Sequence, residues 1–248
     1  YSYELNNKKA PFDNVNIRKA LNLSLDRNVI TDKVLGQGQT PTYVFTPTYI
    51  EEGHLIQQPA YSKEPMAQRN EEAIKLLEEA GYSKANPLKF TILYNTNENH
   101  KKVAIAAASM WKANTKGLID VKLENQEWKT YIDSRRAGRY DAARAGWNAD
   151  YNQATTFGNY FLSNSSNNTA KYANPEYDKA IAESYVATDA EGRAKAYAKA
   201  EEILAKDFGI VPIFNYVNPR LVKPYVKGYS GKDPQDHIYL RNLYIIKH

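Results

Sequence analysis

Leu88-Lys89-Phe90-Thr91-Ile92-Leu93-Tyr94-Asn95 puts Leu88, Phe90, Ile92 and Tyr94 on one side of an extended chain. Ile119-Asp120-Val121-Lys122-Leu123 alternates in the same way. Between them, Asn99 to Asn114 gathers Val103, Ala106, Ala107, Met110 and Trp111 on one side of a helix. Strand, helix and strand at this spacing make a βαβ unit, and two strands joined by such a crossover run parallel. The fold class is therefore α/β. In open α/β sheets ligands sit beyond the carboxyl ends of the strands. That rule points to Asn95–His100, Asn125–Trp128 and Arg144–Asp150.

Working outward, Asp13 to Gly38 reads as two helices, the second capped by Asp26 and ending near Gly36. Gln39 to Pro65, rich in Pro, Thr and Tyr, has no period and reads as a long surface loop. Asn70 to Gly81 reads as a helix with Asn70 as its cap, Gly81 as its stop, and Ala73, Leu76, Leu77 and Ala80 as its buried stripe. Glu127 to Ala137 is a short helix and Tyr140 to Trp147 a strand. Pro175 to Lys206 carries two helices broken near Asp189, and Ile210 to Val217 is an apolar strand. The tail from Asn218 mixes Pro-containing turns with Ile238-Tyr239-Leu240 and Leu243-Tyr244-Ile245-Ile246. The chain opens on strand-like Tyr1-Ser2-Tyr3-Glu4, which leads to the expectation that it starts within a longer protein.

Composition removes several function classes. The 248 residues carry 33 Lys+Arg against 28 Asp+Glu, a mild excess of +5 with both signs interspersed, and no basic stripe for nucleic acid. There is no cysteine, hence no disulfide, thiol nucleophile or thiolate metal site. The histidines His54, His100, His237 and His248 include no i,i+4 pair for a helical metal site. No apolar run is long enough to cross a membrane, and no signal peptide opens the sequence. Gly36-Gln37-Gly38 runs into Pro41 rather than a phosphate-binding helix, and neither a P-loop nor a G-x-S-x-G elbow is present. No catalytic residue, metal or cofactor is nominated.

Asp141-Ala142-Ala143-Arg144-Ala145-Gly146-Trp147-Asn148-Ala149-Asp150 carries the chemistry. Arg144 offers a planar donor fork for a carboxylate, and Asp150 an acceptor for an ammonium group. Gly146 allows close backbone approach and Trp147 supplies a rigid apolar wall. Two readings stand side by side here: an internal Arg144–Asp150 salt bridge, or a site for a zwitterion. Taken alone, His100 reads as a loop histidine and Trp128 as a helix-edge aromatic.

Several segments in order resemble one family. They are Ala10-Pro11-Phe12 with Arg18-Lys19-Ala20-Leu21 and Leu25-Asp26-Arg27; Glu79-Ala80-Gly81; Leu93-Tyr94-Asn95-Thr96; Glu124 to Thr130; Arg144-Ala145-Gly146-Trp147 with Ala149-Asp150-Tyr151-Asn152; Ser165 to Ala170; and the end, Val211-Pro212 and Leu221 to Pro224 through Asn242 to His248. The chain resembles the oligopeptide-binding proteins of bacterial ABC importers, among the large extracellular solute-binding proteins. The resemblance implies one lobe of a bilobal, periplasmic-binding-protein-like (type II) fold, with a mixed, mainly parallel sheet flanked by helices. Residues 1–217 would form the second lobe, and 218–248 a segment returning to the first. It implies an exported, periplasmic, monomeric non-enzyme that captures short peptides and hands them to permease subunits in the inner membrane.

By that resemblance Asp150 accepts the peptide's ammonium group, and Arg144 and His100 lie where its carboxylate is met. Asn95, Trp128, Arg135, Trp147, Asn167 and Tyr216 match pocket-lining positions. Asn148 beside Trp147 departs from the family, as do Gln153-Ala154, where an acidic residue and proline are common, and a longer loop at Asn114–Gly117. These leave side-chain preference open. A narrower reading is a binder of murein tripeptide or dipeptides, and a different-class one is a peptidase.

Overall fold

Ser2–Leu5 (β1) leads into the helix Val15–Leu23 (α1), capped by Asn14, whose side chain accepts from the Asn16 amide at 2.9 Å. A wider, π-helical segment, Val29–Leu35, follows. Asp26 accepts the amides of Asn28 and Val29 at its start, and left-handed Gly36 closes it. Thr40–Pro41 (β2) and Met66–Glu79 (α2) precede the unit Leu88–Asn95 (β3), Glu98–Asn114 (α3) and Ile119–Gln126 (β4). Trp128–Arg136 (α4), Ala142–Ala145 (β5), the single turn Thr155–Gly158 (α5), Pro175–Val186 (α6) and Ala190–Lys206 (α7) come next. Ile210–Pro212 (β6), Phe214–Asn215 (β7), Val226–Lys227 (β8) and Tyr244–Ile245 (β9) complete the chain. This computed structural model describes residues 1–231, 233 and 235–247, so His248 lies outside the described residues.

The main sheet has the order β4-β3-β5-β1-β6. β3 pairs in parallel with β4 and β5, while β1 is antiparallel to both β5 and β6. Four strands thus point one way and β1 alone runs against them: the sheet is mixed and mainly parallel. β1 is buried over its whole length, so the opening residues of the chain form an inner strand.

The period of two sends alternate residues to opposite faces. Phe90, Ile92 and Tyr94 of β3 join a core with Leu21, Ile17, Val103 and Trp111 from α1 and α3. Trp111 also donates its indole N–H to the Leu21 carbonyl at 2.9 Å, fixing the two helices together. Leu93 faces the other way, against Tyr131 of α4 and Tyr140. On that second side, Phe157, Phe161, Tyr177, Ile181, Tyr197 and Leu204 build a core from α5, α6 and α7. Gly81, at φ +88°, is the left-handed stop expected after α2.

Two expectations need correction. α2 begins at Met66, directly after Pro65, so Asn70 lies inside the helix and caps nothing. The polar run Gln68-Arg69-Asn70 hid the first turn, where Arg69 is buried one turn before Ala73 and extends the stripe that continues to Leu77. The stripe's expected end, Ala80, is exposed. Residues 39–65 are not a surface loop either. Val44, Ile50 and Ile56 are buried, β2 pairs with β7, and the buried Glu201 carboxylate accepts the amides of Phe45 (2.5 Å) and Thr46 (3.2 Å). A segment without period can still be packed when another element satisfies its backbone.

Candidate functional site

β3, β4, β5 and β6 end on one edge of the sheet, and antiparallel β1 begins there. The topology therefore gathers Tyr1, Asn95, His100, Trp128, Arg144, Trp147 and Tyr216 at that edge. Arg144 is the last but one residue of β5. Its guanidinium donates to the Tyr216 hydroxyl and lies 5.2 Å from the centre of the Tyr1 ring. Tyr1 stacks on Phe214 at 4.7 Å and meets His100 at 5.5 Å. A methyl group at Gly146 would sit 2.7 Å from the Tyr216 hydroxyl, so a larger residue here would have to push Tyr216 aside.

Among the described residues Arg144 has no carboxylate partner, and Arg144 and Asp150 form no salt bridge. Of the two readings of that stretch, the internal pair is not the one formed. Arg144 Nε, His100 Nδ1, Asn95 Oδ1 and Gln126 Oε1 are buried without a hydrogen-bond partner among the described residues. Buried polar atoms of this kind are normally satisfied, by protein, water or ligand. His100 opens α3, whose cap Asn97 accepts its amide at 3.1 Å. Burial first, then the Arg144 guanidinium beside it, push its imidazole down to about 3. At neutral pH it is an uncharged donor and acceptor, and Arg144 is the cation of the pair.

Asp150 is exposed. The buried Thr156 hydroxyl donates to its Oδ2 at 3.0 Å. The same hydroxyl accepts the Asp150 amide and the Trp147 indole N–H, each at 3.2 Å. Trp147 packs edge-on against Tyr160 at 5.0 Å. A cavity of about 530 Å³ opens beside Trp147 and Asn148. Phe45, Tyr49 and Ile50 line it, together with Tyr1, Phe214 and Tyr216, and with Tyr229, Asp233 and Asp236 of the tail.

The other expected residues lie around this centre. Trp128, 53% exposed, stacks on Tyr131, whose hydroxyl donates to the Arg144 carbonyl. Arg135 is set back from the cavity. It forms a buried ion pair with Glu4 at 2.9 Å and donates to the Tyr160 and Thr169 hydroxyls at 3.1 and 2.8 Å. Asn167 is exposed on the turn leading to Thr169, whose amide its carbonyl accepts at 2.7 Å. Reading the sequence missed Tyr1, Glu4 and Thr156. The excess of tyrosine hinted at Tyr1, but nothing marked Thr156, which stands on a one-turn helix too short to show a period. Among the described residues no cluster of three or more His, Asp or Glu could hold a metal ion.

Residues 1–169 match the family model described as bacterial extracellular solute-binding proteins, family 5, middle part. The chain belongs to this family. The periplasmic oligopeptide-binding protein OppA of Haemophilus influenzae is 98% identical over all 248 residues, which make up 46% of that protein. The periplasmic murein peptide-binding protein MppA of Escherichia coli is 44% identical over the whole chain, again 46% of its own length. A crystal structure of Haemophilus influenzae OppA in complex with the peptide RPPGFSPFR superimposes with a TM-score of 0.93 at 97% identity, covering 99% of this chain and 48% of that one. The chain spans about half the length of the curated relatives it matches. As family members, these residues adopt the α/β lobe of periplasmic peptide-binding proteins.

Proposed function

We propose that this chain is the ligand-reading lobe of a periplasmic oligopeptide-binding protein, the substrate-capturing component of an ABC importer. One observation carries the reading: Arg144 and Asp150, neither in an ion pair among the described residues, stand at the two ends of the stretch whose Trp147, Asn148 and Ala149 line a cavity walled by aromatic rings, and Arg144 bonds the Tyr216 hydroxyl of that wall. Every free peptide has an ammonium group, a carboxylate and a backbone, so a site that reads those groups accepts many sequences. Asp150 takes the ammonium group. Arg144, with neutral His100 beside it, meets the carboxylate. The rings of Trp147, Tyr49 and Phe45 give side chains an apolar but adaptable wall. The peptide-bound Haemophilus influenzae relative, at 97% identity, supports a general oligopeptide binder over a murein-peptide specialist.

The protein performs no chemistry on the peptide in this reading. Among the described residues no histidine, lysine, arginine or serine lines the cavity, and the charges assigned to the ligand's two ends, Arg144 and Asp150, stand beside it. It works in the periplasm as a monomer and delivers peptide to the permease subunits of the inner membrane. No helix among the described residues is long and apolar enough to cross a membrane. Residues 1–217 act as one lobe, and the segment 218–248 returns to the other lobe of the full-length protein. The tail's apolar surface supports this: Leu221, Leu240, Tyr244 and Ile245 are all more than half exposed.

Mass spectrometry of ligands released from the purified full-length protein tests the function. A mixture of peptides of varied sequence is expected. A single murein peptide, or free amino acids generated from added peptide, would overturn it.

A further inference from the structure

We infer that Thr156 is the positioning residue for amino-terminus recognition, holding Asp150 and Trp147 as one rigid unit. This rests on the reading of Asp150 as the ammonium acceptor and extends it to a residue that does not touch the peptide itself.

A threonine hydroxyl has one proton to give and two lone pairs to fill. At Thr156 all three are used: it donates to Asp150 Oδ2 at 3.0 Å and accepts from the Asp150 amide and Trp147 Nε1, each at 3.2 Å. The hydroxyl is buried while the Asp150 carboxylate stands at the surface. One oxygen of Asp150 is therefore pinned from below, and Oδ1 is left for an incoming donor. Neither Asp150 nor Trp147 sits on a helix or strand. The loop 146–154 needs some other device to fix the angle between an acceptor and an aromatic wall, and a carboxylate free to rotate would lose ordering entropy on each capture. α5 supplies the device. Its residues Thr155 to Gly158 are all buried, and Thr155 bonds the Tyr197 hydroxyl at 2.6 Å, which ties the turn to α7.

The test compares a free-amino tripeptide with its N-acetylated form by calorimetry on the full-length protein. Thr156→Val keeps the shape and removes all three bonds. A hydrogen bond to a charged group is worth roughly a factor of ten to a hundred in binding. T156V is therefore expected to weaken the free-amino tripeptide by about that factor, while the acetylated peptide shifts by less than about threefold. Thr156→Ser restores binding. Equal weakening of both peptides would make Thr156 a merely structural residue and overturn the proposal, as would unchanged binding of the free-amino form. Thr156→Ala replaces T156V if that variant does not fold. Asp150→Asn separates the two layers. If D150N keeps full discrimination between the peptides, the ammonium reading falls and this proposal with it. If D150N loses discrimination and T156V does not, only the role of Thr156 falls.

Discussion

Two arginines lie near each other on this lobe and live in opposite circumstances. Arg135 is sealed against Glu4, with Tyr160 and Thr169 closing the network. Arg144 has a tyrosine hydroxyl and a ring face but no counter-charge among the described residues. The first spends its charge inside the fold, where a buried partner is essential once either charge is present. In the proposed function the second keeps its charge for the carboxylate of a bound peptide. The lesson is that a charged residue near a strand end declares its role by what already satisfies it, and not by its identity.

The largest expected effect breaks the sealed pair. Arg135→Ala strands the fully buried Glu4 and should lower stability by about 3–5 kcal/mol in urea denaturation. Little change would mean that Arg135 serves ligand more than fold. Next, Asp150→Ala in the full-length protein should weaken tripeptide binding by about 2–5 kcal/mol, with a stability change of about 1 kcal/mol or less. Unchanged affinity would remove Asp150 from the site. The double variant Glu4→Leu/Arg135→Met replaces the pair by apolar bulk. It should recover at least about half of the loss seen in R135A, since paired burial of charge is a weak net stabiliser. No recovery would mean that the bonds to Tyr160 and Thr169 matter more than the charges.

The smallest effect concerns His100. Its folded value near 3 lies below the ordinary 6.5, so the unfolded chain binds a proton that the folded chain refuses. Stability therefore falls as pH drops from about 6.5 towards 3 and is insensitive to this group at higher pH. His100→Gln should make the urea midpoint fall less between pH 7 and pH 4.5. An identical fall in both proteins would show that His100 titrates normally.

Much of the fold was legible because its signals are local. β3 was read at Leu88–Asn95, its observed bounds. The break between α6 and α7 follows from Asp189, which caps α7 by accepting the Gly192 amide at 2.6 Å. What stayed hidden depends on partners distant in sequence. Residues 42–56 are held by Glu201, and by Glu52 in a bridge to Arg193 at 2.7 Å, more than a hundred residues away. The site divides in the same way. Arg144, Trp147 and Asp150 crowd one stretch and stand out from it. Tyr1 and Thr156 join them only through the sheet order and a short buried turn.

The place of β1 has one more consequence, in the time needed to fold. Glu4 pairs with Ala143 on one side and Ile210 on the other. β1 can pair with β5 once the chain reaches Ala145, but its other edge stays open until β6 has been made, almost as far as Pro212, and contacts of such long range form slowly. Until then β1 has an unpaired edge, and β4, β3, β5 and β1 can assemble only as an open four-stranded sheet. Such exposed edges invite aggregation. The surface formed by Tyr1, Arg144 and Tyr216 is thus among the last parts of the lobe to exist.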